Sequence, residues 1–141
     1  MGEDKVSFGN KNQPFFELSP LYPSRFEMMN REWDSLMHFW VINSYLDIKT
    51  QEALFKIRSI DELLKTSYKI GGTVHFEEMS NEVFLRSIHE SFIQDEHRAL
   101  ILMSTGSAEL IYNAPKSYLT ENNRYGRILM RMRHIIAEEL K

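Results

Sequence analysis

The positions of proline constrain the fold of this chain more than any other feature of its sequence. Three of the four prolines, Pro14, Pro20 and Pro23, lie early in the chain, and the fourth is Pro115. Proline interrupts helices and inner strands, because it lacks a backbone N–H and its ring clashes with the preceding turn. Regular helices are therefore expected between Pro23 and Pro115 and again after Pro115, while the first 32 residues are expected to form short strands and turns.

Capping residues and apolar periodicity predict a series of helices from Asp34 onward. Ser59-Ile-Asp-Glu62 matches a capping box, in which two side chains satisfy free backbone N–H groups at a helix start. The other helices are expected to begin at Asp34 or Ser35, Thr50, Ser80, Asp95 and about residue 124, the last with Ile128, Met132, Ile135 or Ile136 and Leu140 on its buried face. With strands expected at Lys5–Phe8 and Glu109–Tyr112, the predicted class is α+β, helix-rich with a small sheet.

Length and composition predict a single globular domain spanning residues 1–141. A chain of about 150 residues buries roughly 68–70% of its unfolded surface, so it needs no metal or disulfide for stability. Hydrophobic residues make up 43% of the chain and charged residues 26%, which excludes a disordered or fibrous protein. The net charge of −3 disfavours nucleic acid as a partner. The absence of cysteine excludes disulfides, Cys-ligated zinc, iron–sulfur clusters and thiol nucleophiles.

Membrane insertion and secretion are not expected from the sequence. The longest apolar run, Ala99–Met103, is far shorter than the ~20 residues that a membrane helix requires. The first residues contain no cationic segment followed by an apolar one, so no signal peptide is expected. The expectation is a soluble, cytoplasmic protein without a membrane partner.

Short motifs give no indication of a metal or a cofactor. No two of the five histidines are four residues apart, and no His-Glu-x-x-His motif occurs, so no metal site is expected. Gly71-Gly72 is an isolated pair, which is more typical of a helix end than of a phosphate-binding loop. No Gly-x-Ser-x-Gly nucleophile turn is present, and no cofactor is expected.

Two groups of residues are candidates for chemistry on spacing alone. Arg124, Arg127 and Arg131 share one stripe of the last predicted helix, which suits a phosphate cradle or a solvated face, and the solvated face is favoured. Asp34 and His38 are four residues apart, between Trp33 and Trp40. They suit an acid–base pair in a ligand-binding wall, or a capping Asp and a structural His beside core aromatics, and the structural interpretation is favoured.

The order and spacing of the motifs resemble those of the YbiA-like (NADAR) family. That family is typically marked by a Phe-Ser-Asn-Phe turn, a Trp-Pro-Thr-x-Glu-His-Tyr-Phe-Gln-x-x-Lys motif, a Leu-x-x-Thr-Gly segment and an Asn-x-Leu-Gly-x-x-Leu-Met-x-x-Arg block. The corresponding segments extend over nearly the whole chain, and they are Leu18-Ser19-Pro20-Leu21, Trp33-Asp-Ser-Leu-Met-His38-Phe-Trp40, Leu102-Met-Ser-Thr105-Gly106 and Asn123-Arg-Tyr-Gly126-Arg-Ile-Leu129-Met130-Arg-Met-Arg133.

The resemblance implies a YbiA-like, mainly helical domain that handles ribosylated small molecules. Family members resemble N-glycosidases, which cleave the bond between a ribose C1 and a nitrogen. Their substrates include phosphorylated riboflavin-pathway intermediates and, in some branches, ADP-ribose attached to a nucleobase. Such a site must stabilise an oxocarbenium-like ribose and position a water, and a carboxylate does both through its charge.

Departures from the family pattern fall on the residues that would carry this chemistry. Met37 stands where the family has Glu, Val41 where it has Gln, and Ser44 and Ser80 where it has Lys. No Gly-Arg occurs around residues 65–72. Because methionine can neither stabilise a cation by charge nor activate water, the resemblance implies a retained scaffold whose N-glycosidase activity has been lost or altered.

Two functions therefore remain in competition, a non-hydrolysing binder of a nucleotide-like ligand or a protein partner, and an active N-glycosidase. In the active form, Asp34 would be the acid, with Glu17 or Glu32 as substitutes, and His38 would orient it or the water. In either form, the residues expected to bind the ligand are Ser19, Trp33, Trp40, Asn123, Arg124, Arg127 and Arg131. Trp33 and His38 are expected at a cleft. Asn123 and Gly126 are expected to position the last helix, Asn123 by capping it and Gly126 by permitting close packing.

Overall fold

The computed structural model describes residues 4–72 and 74–141, and it is a helix-rich α+β fold, as predicted. The strands are β1 (Lys5–Phe8), β2 (Phe26–Met28), β3 (Arg31–Trp33) and β4 (Glu109–Tyr112). The helices are α1 (Leu36–Asn43), α2 (Ile48–Phe55), α3 (Ile60–Gly71), α4 (Asn81–Ile93), α5 (Glu96–Ser104) and α6 (Arg124–Glu139), with short 3-10 turns at Phe16–Leu18, Phe76–Glu78 and Glu121–Asn123. None of the helices in the described ranges is long and apolar enough to cross a membrane.

The described residues form two compact units, which are taken separately below. The first unit comprises the chain up to Tyr22 together with Phe92–Lys141, and the second comprises Pro23–Ser91. The first unit is thus built from both ends of the sequence, whereas the second is one continuous segment.

The first unit is organised around a parallel pair of strands. β1 pairs with β4 in a register that places Val6 opposite Leu110, and α6 packs on β4. Phe8, Tyr112 and Tyr125 form a buried aromatic cluster with ring centroids 5.1–6.0 Å apart. Both strands were predicted from their alternating, β-branched and aromatic residues, and both are confirmed.

The second unit contains a hairpin at the end of the region expected to form short strands and turns, although the sequence did not indicate the positions of its two strands. β2 and β3 pair antiparallel, and the two residues between them, Met29 and Asn30, have φ angles of 58° and 62°. A two-residue turn with positive φ at both positions matches the right-handed twist of the strands, and it usually contains glycine. The strands are only three residues long and the turn lacks glycine, so the pattern gave no hairpin signal.

Helix starts were predicted well because capping is local chemistry. Ser35, Ser59, Ser80 and Asp95 each accept a hydrogen bond from the backbone N–H three residues later, as predicted. The prediction of Thr50 as the cap of α2 was wrong. Asp47 caps that helix, because its carboxylate accepts both the backbone N–H and the hydroxyl of Thr50, at 3.0 and 2.7 Å.

The buried face of α6 is rotated from the predicted one. Met132 and Ile136 are buried as predicted, but Ile128 is half-buried, and Ile135 and Leu140 are exposed. The buried stripe instead begins with Tyr125 and continues through Leu129. The prediction selected the helix face by its aliphatic residues and did not count the aromatic ring and the glycine at the start of α6.

Candidate functional site

A narrow cleft in the second unit brings together three of the predicted site residues. Trp33 ends β3, Asp34 follows it, and His38 lies in the first turn of α1. The residues that line the cleft are Glu32, Trp33, Asp34, His38, Ile42, Phe55, Ile57 and Arg58. Its volume is about 10 Å³, which is close to the smallest space that holds one water. A ribose fits there only if the lining side chains move.

Two arginines hold the carboxylate of Asp34 at the edge of this cleft. Arg58 donates from Nε to Oδ2 at 2.8 Å and from Nη2 to Oδ1 at 3.0 Å, which is a bidentate pair. Arg25 adds a third hydrogen bond, from Nε to Oδ1 at 3.1 Å. Partial burial raises the pKa of Asp34, but the hydrogen bonds from Arg58 and then Arg25 outweigh it and hold that pKa below its ordinary value. Asp34 is therefore ionised at neutral pH, and it is a poor proton donor.

His38 has both ring nitrogens engaged. Nε2 lies 2.9 Å from the carbonyl oxygen of Arg58, which can only accept, so Nε2 carries a proton. Nδ1 lies 2.7 Å from the hydroxyl of Ser35, and that hydroxyl also accepts the backbone N–H of His38 as the helix cap. A neutral His38 therefore accepts at Nδ1 from Ser35, and no ring nitrogen is left for a substrate or a water.

Positions that the sequence resemblance aligns with charged residues of the family have structural roles in this chain. Met37, which the resemblance aligns with the family's Glu, is buried in α1. The hydroxyl of Ser44 donates to the carbonyl oxygen of Val41 at 2.7 Å and is buried at the end of α1. Ser80 caps α4 by accepting the N–H of Val83 at 3.2 Å. Ser44 and Ser80, which the resemblance aligns with lysines of the family motif, thus both form hydrogen bonds at helix ends.

The two tryptophans are packed into the core of the second unit. Trp33 donates its indole N–H to the carbonyl oxygen of Met28 at 2.9 Å and packs edge-on against Phe39 and Phe55. Trp40 is fully buried and donates its N–H to the hydroxyl of Ser87 at 2.9 Å. Trp33 reaches the cleft wall, whereas Trp40 does not line it. A ligand base could stack on Trp40 only after the core around it had opened.

The remaining predicted site residues lie in the first unit, where the side chains of several form hydrogen bonds with backbone groups. Ser19 is buried, and its hydroxyl accepts the backbone N–H of Leu21 at 3.1 Å. The side chain of Asn123 bridges two residues of β4: its Oδ1 accepts the N–H of Tyr112 at 2.9 Å, and its Nδ2 donates to the carbonyl oxygen of Leu110 at 2.8 Å. Asn123 therefore positions α6 by tying its start to β4 and not, as predicted, by capping the helix with its side chain.

Close packing at the same junction explains Gly126. A Cβ atom at this position would overlap the carbonyl oxygen of Leu110 and the side chain of Asn123. Gly126 thus allows α6 to approach β4 closely, which is the role predicted for it.

The three predicted arginines of α6 differ in how many contacts their guanidinium groups make within the fold. Arg124 donates to the carbonyl oxygen of Tyr118 at 3.0 Å, pairs with Glu121 at 2.9 Å and stacks on the ring of Tyr118. Arg127 is exposed and donates to the carbonyl oxygen of Asn122 at 2.8 Å. Arg131 is exposed, and it has no hydrogen-bond partner within the described ranges. The guanidinium of Arg131 is therefore the most available of the three.

Three arginines that sequence analysis did not select have defined roles. Arg25 and Arg58 hold Asp34 from positions 9 and 24 residues away. Arg98 is fully buried and donates to the backbone oxygens of Glu17 and Ser19. No local pattern marks these residues, because each acts on a segment that only the folded chain brings near. Over residues 4–72 and 74–141, no group of three or more His, Asp or Glu side chains is arranged to hold a metal.

The chain has the YbiA fold. Its structure is similar to the NMR structure of YbiA from Escherichia coli, with a TM-score of 0.83 over 99% of this chain and 88% of that chain, at 18% sequence identity. No protein-family model and no curated protein matches the sequence. The predicted YbiA-like fold is therefore confirmed by structure, at low sequence identity.

Proposed function

We propose that this chain binds a ribosylated, nucleotide-like ligand through the YbiA fold and does not hydrolyse the ribose C1–N bond. One observation carries the proposal. The acid nearest to the family's catalytic position, Asp34, has its charge neutralised by Arg25 and Arg58, while Met37 occupies the carboxylate position itself.

Hydrolysis of a C1–N bond needs negative charge and a general base beside the anomeric carbon. Asp34 supplies the charge, but three hydrogen bonds from two cations offset it. His38 has no free ring nitrogen to activate a water. The site therefore lacks both contributions in the conformation described here.

Ligand binding would use the same two arginines. The side chains of Arg25 and Arg58 are 60% and 59% exposed, so each can turn from Asp34 toward a phosphate. Guanidinium groups bind phosphate in bidentate geometry. If the arginine side chains moved away from Asp34, the cleft, which now has space for one water, would also widen. Phosphate binding and opening of the cleft would then occur together.

The test is a screen of the whole chain against NAD, ADP-ribose and a phosphoribosylated pyrimidine. Binding is measured by titration calorimetry and hydrolysis by mass spectrometry. We expect binding of at least one compound without release of its base, and we expect Arg58→Ala to weaken that binding by about tenfold. Arg86→Ala, an exposed arginine of α4, is the matched control and should leave the affinity unchanged. Absence of binding to all three compounds would refute the proposed ligand class.

The loss of activity has its own test in the Met37→Glu variant. Removing a well-placed electrostatic group typically costs about 2.7–4 kcal/mol of barrier, or 10²–10³ in rate. Restoring a carboxylate at position 37 is therefore expected to raise turnover of a ligand that binds, although Ser44 and Ser80 still lack the family's charges. Glutamate at a buried position also lowers stability, so the variant's unfolding is measured alongside its turnover.

An active N-glycosidase remains the second candidate function. The observation that favours it is a water-sized space lined by both Asp34 and His38, which is where a nucleophilic water would stand. In that case the wild type would turn over substrate, and Asp34→Asn would abolish turnover while leaving binding intact. This result would replace the proposal of a non-hydrolysing binder.

A further inference from the structure

We propose that α2 and residues 56–58 form a lid over the cleft, and that the lid opens by moving toward α3. The lid separates two spaces. On one side is the cleft of about 10 Å³, and on the other is a groove of about 260 Å³ between α2 and α3. Ile57 lines both spaces. The purpose of opening, admission of a ligand, rests on the proposed function, but the lid is tested without any ligand, so the two proposals can fail separately.

The two spaces face opposite sides of α2. On one side, Glu52 and Phe55 contact residues of the hairpin strand β3. Thr50 and Ala53 line the groove. At about 3.6 residues per turn, these two residues lie on the opposite side of the helix from Glu52 and Phe55. A movement of α2 away from β3 is therefore a movement into the groove, which has room to receive it.

Hydrogen bonds to the opposite wall of the cleft hold the lid closed. The bidentate pair of Arg58 with Asp34 spans the cleft, and the backbone oxygen of Arg58 also accepts the Nε2 proton of His38 at 2.9 Å. In the middle of α2, Glu52 accepts a hydrogen bond from Arg31 at 2.7 Å. The side chains of Arg58 and Glu52 are more than half exposed, and exposed ion pairs contribute little each. A modest change in free energy is therefore enough to release the lid.

Few buried side chains fix α2 in place. Of its eight residues, all of which the structure describes, only Leu54 is buried, whereas seven of the eight residues of α1 on the opposite wall are buried. The ends of the moving segment are held at α3, because the hydroxyl of Tyr45 lies 2.8 Å from that of Ser67 and Ser59 caps α3. Segments with few buried apolar contacts open at low free energy, which makes the lid the movable part of the cleft wall.

Opening of the lid would expose the ring of Trp33 to solvent. In the closed state Trp33 is 4% exposed, and Phe55 packs edge-on against it with ring centroids 5.4 Å apart. Movement of α2 into the groove removes Phe55 from this contact. The only other tryptophan, Trp40, is fully buried and does not line the cleft, so it stays shielded. The fluorescence of Trp33 therefore reports lid opening.

The experiment measures quenching of tryptophan fluorescence by acrylamide in the full chain. We expect Arg58→Ala to raise the quenching constant by about two- to fivefold, the range that loss of an exposed ion pair allows. Arg25→Ala is the matched control and should not raise it. Arg25 also binds Asp34 and is equally exposed, but it directly precedes β2, so its hydrogen bond stays on the hairpin side of the cleft. Adding Trp33→Phe should remove the response, which identifies its source.

Substitutions at Ala53 test the direction of the movement. Ala53 is exposed and lines the groove, so Ala53→Phe fills the space that α2 would enter, whereas Ala53→Ser leaves it open. Combined with Arg58→Ala, Ala53→Phe should return the quenching constant close to the wild-type value, and Ala53→Ser should not. Because the chain has no cysteine, Ile42→Cys places a single thiol on the cleft wall, and its labelling rate should follow the same order. Thermal melts check that each variant folds.

Two results would overturn the proposal. If Arg58→Ala leaves quenching and thiol labelling unchanged, or if Arg25→Ala raises them equally, Arg58 does not hold a lid closed. If Ala53→Phe fails to suppress the effect of Arg58→Ala, α2 does not move into the groove. Failure of the nucleotide-like compounds to bind, with both expectations met, would count against the ligand class alone.

Discussion

At the scale of single residues, Asp34 illustrates how tertiary partners decide what a carboxylate can do. Its spacing from His38 is that of an acid–base pair on one helix face. In the folded chain, however, Asp34 precedes α1 and is held by two guanidinium groups. The carboxylate of Asp34 is held in place by these arginines. Their hydrogen bonds outweigh the effect of partial burial and lower its pKa.

The first prediction concerns the pH dependence that these ion pairs create. Because the pKa of Asp34 in the folded state lies below its ordinary value of 3.8, the pairs stabilise the fold above that pH. The stabilisation is lost as the pH falls through the folded-state pKa. We expect Asp34→Asn to lower the free energy of unfolding by about 1 kcal/mol at pH 7, a modest value because both arginines are mostly exposed.

Urea denaturation of the wild type and the Asp34→Asn variant at neutral and at strongly acidic pH measures this effect. The difference in stability between the two proteins should vanish in acid. Glu78→Gln, at an exposed acid of the second unit, provides a control that should show no such change. A difference that is the same at both pH values would mean that the ion pairs do not stabilise the fold.

At the scale of secondary-structure elements, the junction of β4 and α6 depends on both backbone conformation and side-chain hydrogen bonds. Asn122 and Asn123 both adopt left-handed backbone conformations, with φ angles of 51° and 52°. Of the two side chains, that of Asn123 bridges β4, and Gly126 leaves space for it. The glycine and the asparagine therefore act together, and the last helix owes its position to both.

The second prediction separates the bridge from the backbone conformation. Glycine adopts left-handed conformations without strain, so Asn123→Gly removes the two side-chain hydrogen bonds and leaves the backbone conformation favourable. At roughly 0.5–1.5 kcal/mol for each hydrogen bond, we expect a loss of about 1–3 kcal/mol in the free energy of unfolding. Asn122→Gly, at the neighbouring left-handed and exposed position, should be nearly neutral. Equal effects of the two substitutions in denaturation experiments would show that the bridge contributes nothing.

At the scale of the whole molecule, the first unit joins the two ends of the sequence through buried contacts. Arg98 donates to the backbone oxygens of Glu17 and Ser19, which are 81 and 79 residues away along the chain, at 2.5 and 2.8 Å. Its guanidinium also lies 3.9 Å from the ring centre of Phe92. The hydroxyl of Tyr125 donates to the carbonyl oxygen of Leu18 at 2.7 Å. Three carbonyl oxygens of one early turn are thus satisfied by residues from the second half of the chain.

The third prediction follows from the planar shape of the arginine side chain. Lysine keeps the charge at position 98 but cannot reach two carbonyl oxygens with a rigid fork, so Arg98→Lys removes at least one of the two buried, charged hydrogen bonds. We expect the free energy of unfolding to fall by roughly 1–3 kcal/mol. The same substitution at the exposed Arg86 should be neutral. An unchanged denaturation midpoint for Arg98→Lys would show that the fork is not needed.

Local patterns in the sequence were sufficient to predict many elements of this fold. Helix starts at Ser35, Ser59, Ser80 and Asp95 depend on hydrogen bonds within four residues, and β1 and β4 depend on short runs of strand-forming residues. The order of motifs also indicated the YbiA fold, which the structural similarity confirms at 18% identity. The β2–β3 hairpin was missed because its turn at Met29 and Asn30 has no glycine to mark it.

The amino-acid sequence by itself determined the six helices, β1 and β4, the order of these elements and the fold class, because capping and apolar periodicity act between near neighbours. Only the tertiary structure decided the chemistry of the candidate site. It placed Arg25 and Arg58 on Asp34, engaged both nitrogens of His38 and buried Trp40 against Ser87. These contacts join residues up to 47 positions apart. The charge, accessibility and pKa of a side chain depend on such distant neighbours, and no local pattern records them.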